Sequence, residues 1–106
     1  MENFTINNIF KNHLQLPKNG CESFETLFDN EKVKIEKILS NELINGQWYQ
    51  QNDDEWVILL QGSALLEFEE HTKELAYGNY VFIPKQTKHR VLKTSADAIW
   101  LAIHIN

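Results

Sequence analysis

The chain's 106 residues suffice for one domain with one sizeable core, and a hydrophobic fraction of 42% is ordinary for a globular protein. A formal charge of −5, with ten Lys and Arg residues scattered rather than striped, excludes a basic nucleic-acid surface, and apolar runs such as residues 56–60 are far too short to cross a membrane. Cys21 is the single cysteine, so no internal disulfide forms; the first residues show no basic segment followed by an apolar run, and a soluble cytoplasmic protein with a partly exposed thiol is expected.

In residues 1–20, Ile6, Ile9 and Phe10 make one apolar edge, as a strand or a helical turn, and 17–20 is a loop by composition. Behind a candidate cap at Ser23, Phe24, Leu27 and Phe28 fall at helical spacing; an edge strand is the other reading. Val33 and Ile35 alternate with Lys34 and Glu36, the pattern of a half-buried strand with a wet charged face. Asn45 and Gly46 suit a two-residue turn. Residues 47–51 are short and aromatic, and 52–54 read as a loop. Residues 55–61 form a strand apolar on both faces, which Gly62 and Ser63 turn into a second strand over 64–69. A turn at 70–73 and residues 75–77 lead into Gly78. A strand from His89 ends near Thr94, 95–97 turn, and 98–105 is a last, nearly all-apolar strand. From residue 32 onward, about eight short strands joined by tight turns make the pattern of a sandwich or barrel.

The sharpest signal lies in residues 78–89. Gly78 permits positive φ, the aromatic and β-branched run after it suits a strand, and Pro84, lacking an amide hydrogen, stops the ladder. His89 then opens a new strand, so that one imidazole points into an interior. This spacing of glycine, proline and histidine resembles the second motif of the cupin superfamily, which usually has another glycine where this chain has Gln86 and an asparagine where it has Lys93. Glu55 and Gly62 resemble the glutamate and glycine of that superfamily's first motif. The His-x-His pair that precedes the glutamate there is missing. Alternation puts residues 49, 51 and 55 on one face, which favours Tyr49 and Gln51 as the replacements over Trp48 and Gln50. The resemblance implies an all-β fold, a double-stranded β-helix or jelly-roll-like barrel over residues 32–106. Residues 1–31 are then an N-terminal extension packing on it. It also implies His89 as a metal-binding imidazole.

A glutamine oxygen is a much poorer ligand than imidazole for transition metals, so a further ligand is sought on the last strand. A turn centred between Ala96 and Asp97 pairs Thr94 with Ile99, Leu92 with Leu101 and His89 with His104. Residues opposite one another in an antiparallel pair share a face, with Cβ atoms roughly 4.5–5.5 Å apart. Glu55, His89 and His104 then make a set of two histidines and one carboxylate for a divalent ion such as Fe, Mn, Ni, Zn or Co. Tyr49, Gln51 and Trp100 line the ligand pocket beside it. The competing reading of His104 is a buried ring satisfied by protein hydrogen bonds, and of Glu55 a surface carboxylate at the strand's start. His13 and His71 lie in polar segments and read as solvated.

With Glu55, Val57 and Leu59 inward, Trp56, Ile58 and Leu60 point outward, as do Ile99, Leu101, Ile103 and Ile105. An isologous homodimer would cover them. Three functions fit these residues. One is a metal-binding cupin, with or without a metal-dependent reaction such as oxygenation or isomerisation of a small polar substrate. Another is a metal-free module holding a small polar ligand. The third is a structural or regulatory dimer with a vestigial pocket.

Overall fold

Short β-branched and aromatic runs, each cut by a turn, leave this chain little choice but strands. A computed structural model describes residues 4–11 and 15–106. It contains β1 (Cys21–Asp29), β2 (Val33–Asn41), β3 (Asp54–Gln61), β4 (Ser63–Phe68), β5 (Thr72–Ala76), β6 (Tyr80–Ile83), β7 (His89–Thr94) and β8 (Ala98–Ile105). No helix occurs among the described residues, and hence none long and apolar enough to cross a membrane. A five-stranded sheet in the order β1-β2-β8-β3-β6 faces a three-stranded sheet in the order β5-β4-β7, and every pairing is antiparallel. This is a barrel of the kind the turn spacing allowed, in the jelly-roll form that the resemblance implied.

Alternation along β3 sets the interior. Glu55, Val57 and Leu59 are buried, and Trp56, Ile58 and Leu60 between them are only partly so. Val57 and Leu59 pack with Trp100 and Ala102 of β8, Ala64 and Leu66 of β4, Leu75 of β5 and Ile83 of β6. Burying a side chain such as Leu59 is worth about 1.5–3 kcal/mol. Gly62 alone joins β3 to β4, crossing between the sheets at φ 87°.

Several local expectations resolve differently. Of the two readings of residues 23–28, the edge strand forms: β1 pairs with β2, with a bulge between Thr26 and Phe28. Asn45 and Gly46 do not turn a hairpin. Their amides donate to Leu92 O and Val91 O at 2.8 and 2.9 Å, and the segment runs beside β7 as far as a bridge between Tyr49 and His89. Consecutive strands β7 and β8 do not pair; β7 bonds to β4, and β8 lies between β2 and β3 in the other sheet. The expected register of His89 against His104 is therefore replaced by His104 opposite Glu55 and Lys34. The polarity of β2 is also inverted. Lys34 and Glu36 face the interior, lining a cavity, and Val33 and Ile35 share the outer face with Ile105 and Ile103. Ile9 and Phe10 fall in a turn and not in a strand or helix, Cys21 and His71 are exposed, and His13 lies outside the described residues.

Candidate functional site

Between the sheets lies a cavity of about 380 Å³. Its floor is apolar, with Val57, Leu66, Ile83 and Val91, and its walls are charged and aromatic. Tyr49, Gln51 and Trp100 line it, as do Glu55, His89 and His104. Trp48 is elsewhere: its ring lies under Lys88 and Arg90, with the Arg90 guanidinium 4.7 Å from the ring centre. The choice of residues 49 and 51 over 48 and 50 as cavity-facing thus follows the alternation.

His89 is aimed by the segment before it. Pro84 ends the β6 ladder, and Gln86 takes φ 66°, in the left-handed region that favours glycine. The Gln86 amide donates to Gln51 O at 2.7 Å, and its side chain donates to Asn52 Oδ1, which holds a non-glycine residue in this conformation. Glutamine thus stands, in the left-handed conformation, where the resembling motif has glycine. Thr87 O accepts from His89 Nδ1 at 2.8 Å, so that Nε2 faces the cavity. There it meets Glu55 Oε1 at 3.6 Å, an ion-pair contact longer than a hydrogen bond.

Glu55 is 7% exposed. Gln51 Nε2 donates to its Oε1 at 2.9 Å. Burial alone would raise the Glu55 carboxyl above its ordinary range; the close approach of His89, the hydrogen bond from Gln51 and the positive potential of His104 and His89 outweigh it, and the net direction is down. Burial would likewise lower His89, but the Glu55 carboxylate and the Thr87 carbonyl outweigh it, and the net direction is up. Each group thus favours the charged form of the other.

His104 has other neighbours. Its Nε2 lies 3.4 Å from Glu36 Oε1 and its Nδ1 lies 3.5 Å from Asp53 Oδ1. Glu55 is thus the member of the expected triad that touches His89, and both ring nitrogens of His104 are directed to carboxylates other than Glu55. No group of three or more His, Cys, Asp or Glu side chains placed to hold a metal ion occurs among the described residues.

At the β1 end, Trp100 Nε1 donates to Ser40 Oγ at 3.2 Å, and Ser40 Oγ donates to Glu22 Oε2 at 2.8 Å. Burial raises the Glu22 carboxyl; the Ser40 hydrogen bond opposes this and the nearby Glu36 charge adds to it. Tyr49 is also raised, by burial and then by Glu22, Glu36 and Glu55.

Sequence reasoning missed Glu22, Phe24, Lys34, Glu36 and Asp53, all of which line the cavity. The signal for Lys34 and Glu36 was present as alternation, but it was read with the charged side outward. For Glu22 and Phe24 the only signal was the edge-strand reading of residues 23–28.

No protein-family model and no curated protein matches the sequence. Solved structures do. A protein from Ralstonia eutropha JMP134, provisionally named a mannose-6-phosphate isomerase, is 31% identical with a TM-score of 0.83, over 96% of this chain and 98% of that one. A cupin superfamily protein from Desulfitobacterium hafniense DCB-2 is 17% identical with a TM-score of 0.74, over 87% of this chain and 84% of the other. An RmlC-like cupin from Shewanella frigidimarina is 16% identical with a TM-score of 0.74, over 85% and 80%.

Proposed function

Because this chain belongs to the cupin superfamily, we propose that it holds a small polar molecule in the barrel interior, with Glu55 and His89 as its recognition pair and without a resident metal ion. A divalent ion is the group that the superfamily implies for this interior. The donors present do not fit one. Gln51 brings a neutral amide where an imidazole would bind better, and both nitrogens of His104 are turned to Glu36 and Asp53. Two close ligands, Glu55 and His89, are fewer than the three that a stable site needs.

The observation that carries the reading is the Glu55–His89 contact inside a cavity large enough for a small ligand. Thr87 fixes the His89 ring so that Nε2 can give a proton or hydrogen bond to a ligand oxygen. Glu55, oriented by Gln51, accepts one from a ligand hydroxyl. The same pair can shuttle a proton between adjacent ligand atoms, which is what an enzyme built on this site would require. Tyr49, Gln51 and Trp100 supply the remaining contacts. The inverted polarity of β2 supports this reading: charged side chains turned into a barrel need a wet or ligand-filled interior.

Thermal unfolding with a panel of sugars and organic acids, in a chelating buffer, tests the proposal alongside elemental analysis of purified protein. At least one compound should raise the midpoint in wild type and not in His89→Ala. Stoichiometric metal in the wild type, with a ligand response that chelator abolishes, would replace this reading by the metal-dependent one. We also propose an isologous homodimer through the outer face of the larger sheet.

A further inference from the structure

We infer that the cavity takes a small polyhydroxylated molecule bearing an ammonium group, such as an amino sugar, and rejects phosphorylated or otherwise anionic ones. The inference rests on the pocket reading above and names the ligand's charge. Four carboxylates line the cavity: Glu22, Glu36, Asp53 and Glu55. Against them stand Lys34, His89 and His104. Even with both imidazoles protonated the lining is net negative, and with either one neutral it is more so.

The cations are also committed elsewhere. Lys34 lies 3.5 Å from Glu36 and its side chain is 44% exposed, His89 lies against Glu55, and His104 sits between Glu36 and Asp53. Each positive group of the lining thus already faces a carboxylate, which disfavours a phosphate. The carboxylates, in contrast, outnumber the cations around one cavity, with Glu22, Glu36 and Glu55 lining it together with Tyr49. A separate observation points to a missing donor. Asp53 Oδ1 is buried and makes no hydrogen bond among the described residues, its nearest cation being His104 Nδ1 at 3.5 Å, longer than a hydrogen bond. A buried acceptor without a donor is costly, and a ligand ammonium would supply the donor and the charge together. Phe24, Tyr49 and Trp100 line the same cavity, and aromatic rings suit a cation or the C–H face of a sugar.

The name of the Ralstonia eutropha relative carries a phosphorylated hexose; the charge of this cavity argues for a different ligand here. The test compares three hexoses that differ only at carbon 6: 6-amino-6-deoxy-D-mannose, D-mannose and D-mannose 6-phosphate. Affinities are measured by titration calorimetry, and midpoints by thermal unfolding, in chelating buffer at low ionic strength. The amino sugar should bind about tenfold or more tighter than mannose, and the phosphate should bind more weakly than mannose. The preference should collapse in the Glu22→Gln/Asp53→Asn variant. Should that variant fail to fold, the wild-type preference should still shrink at about 0.5 M salt, where exposed charges are screened. Equal binding of the amino sugar and mannose, or tighter binding of the phosphate, would overturn the charge inference and leave the pocket reading intact. If none of the three binds, the inference falls; if the wider panel is also silent, the pocket reading falls with it.

Discussion

Glu55 is a carboxylate on a strand whose other inward residues are apolar, and its cost is offset through His89, Gln51 and the positive potential of His104. The shifts of the pair set a pH dependence. Glu55 is held below the ordinary 4.5, so its contribution is present above that value and is lost as pH falls through the depressed one. His89 is held above 6.5, so its contribution is complete below 6.5 and is lost as pH rises through the raised value. The pair therefore stabilises most between pH 4.5 and 6.5. Thermal midpoints of wild type and Glu55→Gln, compared across pH, should differ most in that window, by about 1–3 kcal/mol in stability, and converge on both sides. A difference independent of pH would show that Glu55 and His89 are not ionised together. Ser40 invites a second residue-level test, because its hydroxyl serves Trp100 and Glu22 at once. Ser40→Ala should cost about 1–3 kcal/mol in chemical denaturation; a loss near zero would mean that water replaces the hydroxyl.

At the scale of elements, two glycines with similar backbone angles should behave differently. Gly62 has φ 87° and forms the whole β3–β4 connection. A Cβ there would collide with Ser95 Oγ and come within 3.0 Å of Ala98 Cα. Gly78 has φ 91°, but a Cβ there meets nothing within 4 Å. Gly78→Ala should therefore cost about 1–2 kcal/mol, the backbone strain alone, and Gly62→Ala more, about 3 kcal/mol or above. Equal losses by urea denaturation would remove the steric part of this account. The same elements show what a sequence can and cannot tell. Strand positions and the inward face of β3 were legible because alternation is a local property of the chain. Partner choice was not. In a jelly roll, strands adjacent in sequence often lie in opposite sheets, so the short 95–97 turn suggested a β7–β8 hairpin that does not form. His89 and His104 nonetheless both reach the cavity, because each sheet turns its inner face to the same interior. The charged face of β2 was misread for a different reason. Alternation fixes which residues share a face, and only the rest of the molecule decides which face is inside. That error concealed Glu36, which contacts His104 and so decides where its ring points.

The outer face of the larger sheet binds these observations at the scale of the molecule. Strand register places Phe28, Ile35, Ile103, Trp56 and Phe82 side by side across all five strands. Leu101, Ile58 and Tyr80 form the next row across β8, β3 and β6. Phe28 is 50% exposed and Phe82 52%. A contiguous apolar band of this kind is uncommon on a free monomer, which supports the proposed homodimer. Of the outward residues of β2 and β8, Leu39 and Ile99 are already buried within the chain, whereas Ile35, Leu101 and Ile103 are only partly so and would be covered by a partner. A two-fold axis across the sheet would lay this surface against its own copy, which is the commonest arrangement among homo-oligomers. A stable contact should bury about 1,000 Å² or more. Size exclusion with light scattering at micromolar concentration should give twice the 12.5 kDa chain mass. Phe28→Lys/Phe82→Lys should shift the protein to one chain mass while leaving its circular dichroism unchanged, since both side chains are half exposed. Tyr77→Lys, which alters an exposed ring outside the strands, should leave the mass unchanged. A wild-type protein that runs at one chain mass throughout this range would show that the apolar band serves something other than self-association.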